Sequence, residues 1–224
     1  MGLFNIMDHW KYRKLQNLTK PKAEYRNFYN SEDAEKWGYA VYSDWATKYK
    51  QTIKLAKKFS SKIANPVLNA IEFYCGYSYQ HINPYMRGDN SIDEVYKEAA
   101  DILVFTIASA PPVPEDIVVY RVVCDEFIHE LIEKSTNNSA AIETGFLSTS
   151  LLKGISKEPE HYADKPNLLK IYVPKGTPGV YVNTVCSRNE YEMLFAPNCF
   201  LRLVECPYND PILQKTVYEC ELFV

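Results

Sequence analysis

The spacing of apolar residues changes character near residue 110. From Ser31 onward Ala34, Trp37, Val41, Trp45 and Tyr49 recur at three- and four-residue steps, which lines them along one face of a helix. Asn30 offers a capping oxygen, and Glu32 and Asp33 put negative charge at the positive end of the helix dipole. Lys54, Lys57, Lys58 and Lys62 continue this stretch as a solvated basic face. Pro66 suits the first turn of a second helix carried by Val67, Ala70, Ile71, Tyr74 and Ser78, which the turn-rich Asn83-Pro84 and Gly88-Asp89-Asn90 interrupt. A third helix is predicted from Ser91 to Ile107 on Ile92, Val95, Tyr96, Ala99 and Leu103. The segment Ala110-Pro111-Pro112-Val113-Pro114 ends helix formation, because proline lacks a donor and restrains the residue before it.

Beyond that linker, short β-branched and aromatic runs dominate: Ile117 to Val123, Phe146 to Leu151, Leu168 to Val173, Val180 to Asn183, Tyr191 to Phe195, Phe200 to Val204 and Lys215 to Phe223. One helix, Asp125 to Lys134, intervenes, with Phe127, Ile128, Leu131 and Ile132 facing inward. Helices first and strands second predict an α+β fold in which an N-terminal helical part (1–110) packs on a mostly antiparallel two-sheet core (115–224). At 224 residues this is expected to be one domain, and a monomer.

Charge and composition exclude more than they propose. A net charge of -3 gives no global positive field, which argues against nucleic-acid binding. No apolar run is long enough to span a bilayer, so membrane insertion is not expected, and the N-terminal MGLFNI followed by Asp8 lacks the apolar core of a signal peptide. The expectation is a soluble chain acting in a cytosol, with its six cysteines reduced. Neither G-x-G-x-x-G nor a P-loop is written here, and His9, His81, His129 and His161 are isolated from one another, so no metal is expected.

Three short elements carry the chemistry: Tyr120-Arg121 in the first strand, Ser148-Thr149-Ser150 in the next, and Glu190-Tyr191-Glu192 ahead of a later one. Singly each has an ordinary structural explanation. In this order they resemble the arginine, Ser-Thr-Ser and Glu-x-Glu set of the toxin-like mono-ADP-ribosyltransferases, the group that includes the actin-modifying components of bacterial binary toxins. Ile117-Val118-Val119-Tyr120-Arg121, Gly145-Phe146-Leu147-Ser148-Thr149-Ser150 and Val173-Pro174-Lys175-Gly176-Thr177 are similar to that family's wording around its catalytic strands. So are Ala34-Glu35-Lys36-Trp37-Gly38, Tyr77, and Asn83-Pro84-Tyr85-Met86-Arg87-Gly88 in the helical half. The resemblance runs over roughly residues 31 to 205 and implies the ADP-ribosyltransferase fold.

It also implies NAD⁺ as co-substrate, a protein substrate with an arginine acceptor (an actin-like target among the options), and a role for each residue. Arg121, with Arg87 as a second contact, would hold the diphosphate, for which a planar, permanently charged fork is suited. Glu192 would stabilise the positive charge that develops on the ribose as nicotinamide leaves. Ser148 would brace Glu192 across strands. Glu190, two residues earlier and on the same face if the segment is extended, would position the incoming guanidinium. Tyr77, Tyr74, Asn83, Phe146 and the Gly145 backbone are expected around the nicotinamide. Gly179 to Asn189 corresponds to the target-recognition loop, with Tyr181 as a contact. Lys170 stands where many relatives have arginine, which would replace a fork with a point charge at NAD⁺. Two other readings stay open: an NAD⁺ glycohydrolase that uses water as acceptor, and an inactive module that binds NAD⁺ or a protein.

Overall fold

A computed structural model of the chain describes residues 12–59, 68–157, 165–187 and 190–224. Helix α1, Ser31–Phe59, starts where predicted: the Asp33 amide donates to Asn30 Oδ1 at 2.8 Å, with Glu32 and Asp33 in the first turn. It buries Ala34, Trp37, Tyr42, Ala46 and Ile53, while Lys54, Lys57 and Lys58 are exposed. Gly38 on this helix lies against the ring of Tyr181, where a Cβ would come within 2.2 Å of ring carbon. Lys62, Pro66, Val67, His9 and His161 lie outside the described residues.

The second predicted helix is broken in two. Helix α2, Ala70–Phe73, leads into a wide turn over Tyr74–Ser78, and α3 follows over Tyr79–Met86. The break sits at Gly76 and Tyr77, and Tyr77 has a φ of 74°, a left-handed conformation that costs a non-glycine residue about 1 kcal/mol or more. The predicted interruption at Asn83-Pro84 falls inside α3, which gives up one backbone bond at Pro84 and closes at Arg87. Helix α4, Glu94–Ser109, buries Ala99, Leu103 and Ile107 and stops at extended Ala110, ahead of the prolines. Helix α5, Asp125–Thr136, buries Ile128, Leu131 and Ile132.

The strands are β1 Ile117–Val123, β2 Ala141–Glu143, β3 Leu147–Ser150, β4 Asn167–Val173, β5 Gly179–Tyr181, β6 Glu192–Phe195, β7 Cys199–Leu203, β8 Tyr208–Asp210 and β9 Lys215–Phe223. The expected two-sheet core is corrected to one nine-stranded sheet in the order β2-β7-β9-β4-β1-β3-β6-β5, with β8 on β9. The sheet is pinched: β1 and β3 are joined at the single register pair Tyr120↔Ser150, whereas β1 and β4 pair along the whole of β1. Among the described pairings between strands only β4 with β9 is parallel, apart from the isolated parallel bridges Arg26↔Ile117 and Phe28↔Leu152, so the mostly antiparallel expectation holds. Strands β2 and β8, three residues each, are too short to give a period-two signal in the sequence.

Alternation along β1 sorts its side chains onto two faces. Val119 and Val123 join the main core under the helices, with Leu169, Ile171, Tyr74 and Phe146. Val118, Tyr120 and Val122 face the other way, with Leu168, Tyr172 and Tyr25. The chain before α1 runs over this back face: Tyr25 packs edge-on against Tyr172, the Thr19 amide donates to Glu221, and Lys20 pairs with Asp116. The front face, at the pinch between β1 and β3, is where the motif residues meet.

Candidate active site

A cleft of about 430 Å³ opens at this pinch, lined by Tyr74, Cys75, Tyr77 and Asn83 from the broken helix, Arg121 from β1, Ser148, Thr149 and Ser150 from β3, and Glu190 and Glu192. This is within the usual size of a small-ligand site, roughly 300–1,000 Å³. Three motif elements far apart in sequence thus share one cavity.

Register sets their relation. Strand β3 runs antiparallel to β6 with Ser150 opposite Glu192 and Ser148 opposite Leu194, so Ser148 is a diagonal neighbour of Glu192 on the same face. Its hydroxyl donates to Glu192 Oε1 at 2.5 Å. The other carboxylate oxygen faces the Cys75 thiol, a weak donor, at 4.0 Å. Arg121 Nη1 donates to the Ser148 carbonyl at 2.8 Å, so one serine joins the arginine to the glutamate. The remaining hydroxyls hold the backbone: Thr149 bonds the Met193 carbonyl at 2.9 Å and Ser150 the Glu190 carbonyl at 2.7 Å.

The two glutamates are not two positions of one extended strand. Strand β6 begins at Glu192, and Tyr191 between them has a φ of 50°. Glu190 therefore stands on a turn, tied by its carbonyl to Ser150, while Glu192 is 2% exposed. Both side chains nevertheless line the cleft. Two left-handed tyrosines, Tyr77 and Tyr191, thus stand beside it on elements remote in sequence, and such backbone strain tends to cluster at functional sites.

Beneath the cleft lies a layer built on a residue that the sequence motifs do not include. Glu143, at the end of β2, accepts from Arg87 Nε at 3.0 Å and Nη2 at 2.9 Å, lies 3.6 Å from Arg121 Nη2, and accepts from the Gly145 amide at 2.9 Å. Burial alone would raise its carboxyl; the Arg87 bonds, the Arg121 charge and the Gly145 amide outweigh that and hold it below the ordinary glutamate value. Arg87 is raised in turn, since bonding and charge from Glu143 overcome its own burial. Asn83 completes the layer, donating to the Tyr74 hydroxyl at 3.0 Å and accepting from the Phe146 amide at 2.9 Å. Burial first, and then the Glu192 charge, raise the Tyr74 hydroxyl well above its ordinary value, so it stays protonated. Nothing in the local sequence marks Glu143 except its place two residues before Gly145, where a Cβ would lie a tight 3.1 Å from both Asn83 Oδ1 and Glu143 Oε1 and press on both side chains.

The other expected site residues divide. Tyr77 is 67% exposed at the cleft. Phe146 is fully buried against Tyr74, and the Gly145 amide is already taken by Glu143, so both act as support rather than as cleft wall. Two positions are corrected. Lys170 pairs with Tyr120 in the β1–β4 register and so lies on the back face, where it bonds Glu219 at 3.2 Å; an even–odd step along β4 separates it from the side that holds Arg121. Tyr181 is fully buried under Gly38 of α1, because β5 points it inward, and it offers no surface to a partner; the exposed ring at that place is Tyr39, which packs edge-on to Tyr181 and donates to the Asn183 carbonyl at 3.2 Å. In the segment expected to recognise the target, the described residues include strand β5 and the turn Val182–Thr184, and residues 188–189 lie outside the described residues.

Comparison with known proteins bears on this geometry. The sequence model of a family described as ADP-ribosyltransferase exoenzyme matches residues 34–206. The mono(ADP-ribosyl)transferase SpvB of Salmonella typhimurium is 28% identical over 173 residues, which cover 64% of this chain and 28% of SpvB. The ADP-ribosylating toxin BECa of a C. perfringens binary enterotoxin, solved with NADH, superposes with a TM-score of 0.68 at 21% identity, covering 89% of this chain and 50% of that one. C3stau2 from S. aureus, solved with NAD, gives a TM-score of 0.62 at 21% identity over 89% of this chain and 99% of its own. The chain therefore spans little more than a quarter of the curated relative, and at these identities the solved structures speak to the fold alone.

Proposed function

Since the chain belongs to the ADP-ribosyltransferase exoenzyme family, whose model matches residues 34–206, we propose that it cleaves NAD⁺ at the nicotinamide bond and transfers the ADP-ribose to an arginine of a protein substrate. One observation carries the reading: Ser148 bonds Glu192 through its hydroxyl at 2.5 Å and accepts from Arg121 through its carbonyl at 2.8 Å, which fixes a cation and a carboxylate on either side of one strand residue in one cleft.

The chain's groups divide the work. The Arg121 guanidinium, with Arg87 behind it, holds the diphosphate, and a guanidinium has enough N–H donors to serve Ser148, Glu143 and a ligand together. Tyr77 and Tyr74 supply aromatic surface for the nicotinamide ring. Loss of nicotinamide spreads positive charge over the ribose, and the Glu192 carboxylate stabilises that charge from a position fixed by Ser148. A buried carboxylate acts strongly on such charge because little water screens it. Glu190, less buried and carried on the turn before β6, meets the acceptor guanidinium and orients it for attack. Actin is the target that the binary-toxin resemblance implies.

The test incubates the protein with labelled NAD⁺ and eukaryotic lysate, beside Glu190→Gln and Glu192→Gln variants, and reads labelled protein and free nicotinamide. A discrete arginine labelled by the wild type, both signals lost in Glu192→Gln, and nicotinamide release without labelling in Glu190→Gln are the expected results. Nicotinamide release with no labelled protein overturns the transferase reading in favour of NAD⁺ hydrolysis. Binding of NAD⁺ with neither signal overturns catalysis altogether.

A further inference from the structure

The geometry points to Glu143 as the positioning residue of the diphosphate site, a buried carboxylate that holds both arginines in the orientation in which they meet the dinucleotide. The inference rests on the reading of Arg121 as diphosphate ligand and adds what keeps that ligand in place.

Arg121 by itself is under-determined. Among the described residues its one close bond is to the Ser148 carbonyl, at 2.8 Å, and a long flexible side chain fixed at one point can swing about it. Glu143 supplies the second point, 3.6 Å from Nη2. It is itself fixed more tightly than either arginine. Arg87 grips it through two parallel bonds, the Gly145 amide donates to it, and its side chain is 7% exposed. The link also reaches the helical half, since Arg87 follows α3 while Glu143 ends β2, so the ion-paired trio pins the broken helix to the sheet on which Arg121 and Ser148 stand.

A carboxylate under an anion site should weaken anion binding through charge alone. Here each of its oxygens already accepts from the protein, and two guanidinium charges stand against its one. Loss of the carboxylate would free both forks to turn, and the ordering cost would then fall on ligand binding. Charge neutralisation and pre-organisation thus predict opposite signs for Glu143→Gln. Pre-organisation outweighs charge here, because the Arg87 bonds are bidentate and charge-assisted and are lost or halved by the amide.

Calorimetric titration of the full chain with ADP-ribose and, separately, with nicotinamide decides the matter, for the wild type, Glu143→Gln and Arg121→Ala, with steady-state kinetics in NAD⁺ alongside. The expected result is ADP-ribose affinity lower by about tenfold or more in Glu143→Gln, nicotinamide affinity unchanged, and a rise in KM for NAD⁺ that exceeds the fall in kcat. ADP-ribose bound by Glu143→Gln as tightly as by the wild type, or more tightly, overturns the proposal. So does an equal loss for ADP-ribose and nicotinamide, which would mean general loosening of the cleft. Should Glu143→Gln fail to fold, Glu143→Asp, one carbon too short to reach both forks, carries the same comparison. A wild type that binds no ADP-ribose, or an Arg121→Ala variant that binds it unchanged, overturns the reading of the cleft and this inference with it.

Discussion

The two faces of the sheet carry the same device with opposite outcomes. On the front, Glu143 is buried between Arg87 and Arg121; on the back, Glu219 is buried between Lys22 at 2.6 Å and Lys170 at 3.2 Å. Both carboxyls sit below the ordinary glutamate range, because bonds from their cationic partners outweigh the burial that would raise them. The difference lies in the cations. An ammonium is a compact charge, and the back cluster is closed off by the Tyr172 hydroxyl at 2.6 Å, the Tyr208 hydroxyl at 3.3 Å and the chain segment that carries Lys22. A guanidinium is a fork that binds a carboxylate along one edge and keeps donors on the others. The lysine cluster is thus an internal clasp, and the arginine cluster, on the function proposed above, is half of a binding site.

The strongest way to break that contrast is to remove the clasp. Taking one partner out of a buried ion pair costs about 3–5 kcal/mol, because the remaining charge stays buried. Lys22 is nearly half exposed and Lys170 partly so, which lets water take up their charges once Glu219 is gone; Glu219→Ala should therefore cost less than that, about 2–3 kcal/mol, through the charge-assisted bonds it loses. Urea unfolding should show this loss, while the folded fraction keeps its affinity for ADP-ribose. A loss of ADP-ribose binding out of proportion to unfolding would erase the distinction between the faces.

Acid should act on both clusters together. Each glutamate has a folded value below the ordinary 4.5, so its stabilisation is fully present above 4.5 and is lost as pH falls through the depressed folded value. Stability measured by denaturant between pH 7 and pH 3 should be flat at first and then fall below about 4.5, and Glu219→Ala should flatten part of that fall. An unchanged acid limb in the variant would mean that the Glu219 carboxyl titrates alike in the folded and unfolded chain, so that the clasp does not hold it down.

Next in size is Arg121→Lys. A charge-assisted hydrogen bond is worth about 1.5–3 kcal/mol, so exchanging the fork for a point charge should lower kcat/KM for NAD⁺ by roughly 10- to 100-fold. The unfolding midpoint should move much less than in Glu219→Ala. Full activity in Arg121→Lys would show that charge alone serves the cleft.

What was legible in the sequence follows from how each signal is encoded. The helices α1, α4 and α5 repeat their apolar positions over several turns, and the long strands β1, β4 and β9 declare themselves by composition. The cleft was legible because Arg121, Ser148 and Glu192 are fixed in order and in flanking text. Glu143 was not, because its partners Arg87 and Arg121 come from elements remote in sequence and a lone glutamate beside a short strand has no pattern of its own. The break at Gly76 and Tyr77 was hidden because the apolar spacing on either side of it remains helical. The one-sheet outcome depends on a single bridge pair, Tyr120 with Ser150, which no propensity scale encodes.

Lys170 gives the smallest effect and the sharpest use of the comparison. Read from the sequence, it is a departure that should alter NAD⁺ affinity, and restoring arginine should then improve binding. The β1–β4 register argues otherwise: Lys170 shares its face with Tyr120 and Glu219, its ammonium lies 5.0 Å from the centre of the Tyr172 ring, and the sheet separates it from Arg121. Lys170→Arg should therefore leave KM for NAD⁺ within about twofold of wild type and change stability by no more than about 0.5 kcal/mol, as a swap of one partly exposed cation for another. A clear fall in KM would mean that the side chain at this position reaches the dinucleotide after all, and the division of labour between the two faces would have to be redrawn.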